Sequence, residues 1–206
     1  MGVWNILSFT PQEKSNASPI VSQRAIKLLQ KNTEIHTIKA KALTDLCNIP
    51  EKGEQYRIVT EKQFNAFAVI LAILEKEDIE DMYLAIYRIN EATVDSLINI
   101  IESGRIRSAT FIISNFFNQT KRPEKWAIRL RDYASTRSCV RHVYVHNHSK
   151  VLCVNTTKGN HYVFEGSGNM SDNARIEQYL YENNVITYNF HKDWMVELVE
   201  KHGGVK

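Results

Sequence analysis

His148 and Lys150 flank a serine in the run HNHSK, and eighteen residues past His148 begins the turn Gly166-Ser167-Gly168-Asn169. Between them lies TTKGN, residues 156 to 160, whose composition suits a tight turn. If that turn closes an antiparallel hairpin, facing residues have numbers that sum to about 316, and His148 falls opposite Gly168, between Ser167 and Asn169. Alternation along the strand sends His148 and Lys150 to one side, where Leu152 and Val154 continue into the core. The result is an imidazole, an ammonium, a hydroxyl and an amide at one end of a sheet, a grouping that suits a phosphate. Lysine and asparagine donate to nonbridging oxygens as charge develops, and histidine attacks or passes a proton near neutral pH. Glycines beside Ser167 would also let backbone amides approach an anion.

The elements that must position these groups read as α/β. Phe64, Phe67, Ala68, Leu71 and Leu74 recur at helical spacing after a Thr60/Gln63 capping pattern, which predicts a helix over 61–76. MYLAIYRI and SATFIIS read as buried strands. Val94, Leu97, Ile98 and Ile101 form a helix between them that stops at Gly104, giving a parallel crossover unit. A helix over 124–133 and a strand CVRHVYVH follow, then short strands KVLCVN, HYVFEG and YLYENNVITYN, and a last helix carrying Trp194, Leu198 and Val199. A further helix is expected near Ile20–Gln30, and Pro50-Glu51-Lys52-Gly53 reads as a turn. The expected fold class is α/β, with a mixed sheet flanked by helices. Residues 1–55 are set apart as an N-terminal extension of unknown role, and 56–206 as the main domain.

Composition narrows the class. With 206 residues, 43% of them hydrophobic and only 4 prolines, the chain is an ordinary globular one. Three cysteines without a CxxC pair suit a reducing compartment. The opening MGVWNILSFTPQEK lacks the basic and apolar regions of a secretory signal, so a cytoplasmic location is expected. The most apolar run, 64 to 74, is about half of the ~20 residues that cross a bilayer, so no membrane partner is expected.

Taken together, His148-Ser149-Lys150, the Gly166-Ser167-Gly168-Asn169 turn and Glu177 in NARIEQY resemble the phospholipase D-like superfamily of phosphodiesterases, including its small bacterial and phage nucleases. That pattern has an Asp where this chain has Asn155, a supporting position that alternation turns away from His148 and Lys150. The resemblance extends loosely from about residue 80 to the end and implies a phospholipase D-like fold. It implies that His148 forms a phosphohistidine or protonates the leaving group, that Lys150 and Asn169 hold the phosphate, and that Ser167 and Glu177 orient the histidine. It also implies no metal and no cofactor. The chemistry takes two histidines and the chain has one motif, so the resemblance implies a homodimer with the active site across its interface.

The stretch from Lys121 to Arg141 bears on the substrate. It carries seven basic residues, among them Lys121, Arg122, Lys125, Arg129 and Arg131, against Glu124 and Asp132. A basic approach to the strand before His148 suits a polyanion, with Trp126 and Tyr133 expected to stack on bases. A nuclease acting on nucleic acid, DNA ahead of RNA, is the expected function. A binding module that holds nucleic acid without turnover and a lipid-acting phospholipase are the alternatives. Cys139, His142, His146, His148 and Cys153 fall close together, yet the spacing lacks the paired ligand cluster that zinc sites use.

Overall fold

A computed structural model describes residues 34–40 as backbone, and 48–60, 66–118, 123–171 and 176–203 with side chains. Eight strands run through these residues: β1 Glu34–Ala40, β2 Glu54–Thr60, β3 Ile79–Ile86, β4 Ile106–Ser114, β5 Val140–Val145, β6 Val151–Thr156, β7 His161–Gly166 and β8 Glu177–Asn183. Four helices accompany them: α1 Ala66–Leu74, α2 Glu91–Glu102, α3 Lys125–Ser135 and α4 Val185–Lys201. All strands join one mixed sheet in the order β1-β2-β8-β7-β6-β3-β4-β5. β3, β4 and β5 are parallel and are linked through α2 and α3, while the pairs β3–β6, β6–β7, β7–β8 and β8–β2 are antiparallel.

Alternation along the strands builds two cores. Met82, Leu84, Ile86, Phe111, Ile113, Leu152 and Val154 face α1, α2 and α3, while Tyr83, Ala85, Ile112, Val151, Cys153 and Val163 face α4. The α/β class and mixed sheet expected from the sequence are therefore present. β1 and the start of β2 lie before residue 56, and β1 pairs in parallel with β2 at the sheet edge. The expected helix near 20–30, the Thr60/Gln63 cap, and Lys121 and Arg122 lie wholly or partly outside the described residues.

One element differs. YLYENNVITYN does not continue as a strand, because Asn184 ends β8 and caps α4, its side chain accepting from the N–H groups of Ile186 and Thr187. Asparagine's carbonyl satisfies amides that a helix start leaves unpaired, and this outweighs the β-preference of Val185 and Ile186. No helix among the described residues is long and apolar enough to cross a membrane.

Candidate active site

The hairpin has the register that the turn arithmetic gives. Val151 pairs with Glu165, Leu152 with Phe164 and Asn155 with His161, and Gly159 takes the positive φ of 74° that the turn requires. The pairing extends toward the site, since Gly166 N–H donates to Lys150 O at 3.2 Å. His148, Lys150, Ser167 and Asn169 thus meet where the parallel strands β3, β4 and β5 end, the edge at which open α/β sheets place their ligands.

Asn147 shapes the loop that carries His148. It is buried, its Nδ2 donates to Ile112 O at 3.1 Å, and its Oδ1 accepts from Ser149 N–H at 2.9 Å. That Asx turn ties the loop to β4 and leaves His148 exposed on the next residue. An asparagine two residues before a serine is its only trace in the sequence. Lys150 Nζ donates to His148 O at 2.7 Å and lies 3.2 Å from His148 Nδ1, and it sits 5.5 Å from the centroid of the Tyr87 ring. An ammonium has no lone pair, so a hydrogen bond between these two groups requires Nδ1 as the acceptor. Partial burial lowers the Lys150 pKa, and the carboxylate of Glu177 opposes that shift.

The GSGN turn is held from two sides. Ser167 Oγ donates to Glu177 Oε2 and accepts from Gln178 N–H at 3.1 Å, while Ser167 N–H donates to Gln178 O at 3.0 Å. Asn169 Oδ1 accepts from Arg88 N–H at 3.2 Å, and an isolated parallel bridge joins Met170 to Ile89. Gly166 serves a different end from the one its sequence suggests. A Cβ there would overlap the Gln178 carbonyl oxygen and lie 2.6 Å from a Tyr179 ring carbon. The glycine lets β7 close on β8 so that Ser167 reaches Glu177.

The five residues expected at the site therefore share one sheet end. Ser167 and Glu177 bond to each other, however, and it is Lys150 and Tyr87 that contact the His148 ring. A groove of about 800 Å³ runs beside them, lined by Lys150, Glu165 and Ser167 and by His191 and Trp194 from α4. Trp194 Nε1 donates to His191 Nδ1 at 3.1 Å and Glu165 Oε2 lies 3.3 Å from Nε2, so both ring nitrogens of His191 are engaged.

Two expectations for the basic stretch change. Trp126 is buried, 5% exposed, against Phe117, so it cannot stack on a base. Tyr133 donates to Glu102 and lies against Arg137. Arg129 pairs with Asp95 at 2.8 Å and Arg131 with Asp132 at 3.3 Å, and Lys125 is exposed at the start of α3. No cluster of three or more His, Cys, Asp or Glu side chains among the described residues could hold a metal ion. His142 and Cys153 are buried on separate strands.

Asn155 lies at the far end of β6 from Lys150, and its Nδ2 donates to Asp81 Oδ2 at 3.4 Å across the β3–β6 pair. A carboxylate is thus already supplied by the neighbouring strand, and a second one at 155 would oppose it. Asn155→Asp is expected to lower stability by about 1 kcal/mol at neutral pH through this like-charge pair, with recovery on acidification. Thermal unfolding at pH 7.5 and pH 4.5 checks it, and equal melting temperatures at pH 7.5 for variant and parent would contradict it.

Neither a family model nor a curated protein matches the sequence. Solved structures do match its fold. NucT from Helicobacter pylori superposes with a TM-score of 0.50 at 19% identity, over 74% of this chain and 99% of that one. The phospholipase D family member Nuc from Salmonella typhimurium gives 0.50 at 15% identity, over 73% of this chain and 97% of that one. The fold is that of the phospholipase D superfamily. Within this phospholipase D-like fold, the hairpin of β6 and β7 carries His148, Lys150, Ser167 and Asn169.

Proposed function

We propose that this phospholipase D-like protein is a phosphodiesterase that cleaves nucleic acid, DNA ahead of RNA, through a phosphohistidine at His148. The observation that carries the reading is the meeting of His148, Lys150, Ser167, Asn169 and Glu177 at one end of the sheet. Lys150 and Asn169 hold the nonbridging oxygens. For His148 Nε2 to attack, the ring proton must sit on Nδ1, so the Lys150 ammonium shifts from Nδ1 onto the phosphate as substrate binds. The bond from Nε2 to phosphorus forms as the bond to the departing oxygen breaks, and that oxygen takes a proton from a second imidazole. Water then gives its proton to the second imidazole and attacks phosphorus, which releases His148.

The chain has one motif, so the second imidazole is His148 of another copy, and the active unit is a homodimer. Lys125, Arg129 and Arg131 serve as an approach for the polyanion, their exposed ion pairs being weak enough to exchange for phosphate. Protein side chains supply the nucleophile, the acid and the positive charge. With plasmid and single-stranded DNA offered side by side in excess EDTA, cleavage of at least one of them is therefore expected, by a species with a dimer's mass in light scattering. Tight binding without cleavage would favour a binding module instead, and a monomer's mass would leave the reaction without its acid.

Glu177 gives a test of the electrostatics. Its carboxylate raises the Lys150 pKa against the effect of burial, and Lys150 must be protonated to hold phosphate. In Glu177→Gln the folded-state pKa of Lys150 falls further, so the alkaline limb of the pH–rate profile is expected to move to lower pH. An unmoved limb with only a lower plateau would contradict this role.

A further inference from the structure

Phe116 is 61% exposed, more than any other phenylalanine, tyrosine or tryptophan among the described residues, and it adjoins the site. It stands on a three-residue 3-10 turn, Asn115–Phe117, directly after β4, with Ser114 Oγ accepting from its N–H. One face stacks on Tyr87, with centroids 6.4 Å apart and planes 28° from parallel. Tyr87 in turn contacts the His148 ring at 4.8 Å. Phe117 meets both Phe116 and Tyr87 edge-on, at 5.2 Å and 5.3 Å, and packs on buried Trp126. Phe116 is therefore an exposed aromatic ring backed by Tyr87 and Phe117, with its outer face open.

A cleft of about 520 Å³ opens at this place, lined by Tyr87, Asn115, Phe116, His146 and His148. Cations accompany the stack: Lys150 lies over Tyr87, and the Arg88 guanidinium is 5.9 Å from the Phe117 centroid. An aromatic surface one ring removed from His148, with positive charge beside it, matches a flat aromatic group attached to an anion. We infer that Phe116, propped on Tyr87, is a stacking platform for an unstacked nucleobase next to the scissile phosphate, which makes single-stranded nucleic acid the substrate class. A base inside a duplex has both faces covered by its neighbours and cannot use the platform without first being unstacked. The inference rests on the phosphodiesterase reading for the place of the phosphate, and on the rings alone for the base.

The test measures binding in a His148→Asn background, so that strands stay intact. Oligothymidylate is compared with a strand of equal length made of abasic tetrahydrofuran units, by fluorescence anisotropy. The parent is expected to prefer the base-bearing strand about tenfold or more, the range set by stacking of one base. Phe116→Ala should bring that preference close to unity while leaving duplex affinity unchanged, and Phe116→Trp should keep it. Four results would overturn the platform: an unchanged preference in Phe116→Ala, equal losses for both strands and the duplex, no binding of either strand by the parent, or a change in oligomeric mass caused by Phe116→Ala. A base preference that depends on Phe116 in a protein whose wild type cleaves neither strand would retain the platform and reject the phosphodiesterase reading.

Discussion

Replacing His148 with alanine is expected to lower cleavage of single-stranded DNA by about three to four orders of magnitude, with little change in fold. The loss is large because one side chain serves twice in a symmetric pair, as the group that bonds to phosphorus in one copy and as the proton donor in the other. General acid–base catalysis alone contributes about 10²–10⁴-fold, and effects of groups that act as a unit do not simply multiply. The fold should persist, because His148 is exposed and the loop is held by Asn147 rather than by the imidazole. Single-turnover rates with wild type and variant at equal protein concentration check the prediction. A loss of less than tenfold would show that the histidine is not the reacting group.

Gly166→Ala is the second large effect, and it acts through the backbone. The added methyl overlaps the carbonyl oxygen of Gln178 and crowds Tyr179, and neither can yield as the end of a flexible chain would, because Gln178 and Tyr179 belong to β8. Overpacking of this kind costs about 3 kcal/mol, and here it pries apart β7 and β8. Ser167 would lose its bonds to Glu177 and to the Gln178 backbone together, and Asn169 would move with the turn. Stability should fall in urea unfolding, and cleavage should fall even where the variant is fully folded. Full activity with unchanged stability would show that the strands close without the glycine.

Local rules carried much of this arrangement. TTKGN sets the hairpin because Gly159 can adopt a positive φ, and a two-stranded register then follows from numbering alone. Helical and strand periodicities placed β3, α2, β4, α3 and β5, whose apolar residues face the two cores in alternation. What the sequence hid depends on neighbours distant in the chain. Trp126 and Phe116 have similar chemistry, and only the packing of α3 on Phe117 buries the first while the turn after β4 exposes the second. Asn184 lies in a run of strand formers, and its role as a cap shows only once α4 has a core to cover. The stitch from Asn155 to Asp81 joins residues on strands whose adjacency no local pattern states. Asn147 drew no expectation from the sequence, because its hold on the loop depends on the carbonyl of Ile112 in β4.

Whether His148 bonds to phosphorus is read most directly from the stereochemical course of cleavage. A single-stranded substrate with one chiral phosphorothioate at the scissile position, hydrolysed in isotopically labelled water, reports how many displacements occur at phosphorus. Two in-line steps through a phosphohistidine at His148 predict overall retention of configuration, whereas inversion, the mark of one direct attack by water, would contradict it.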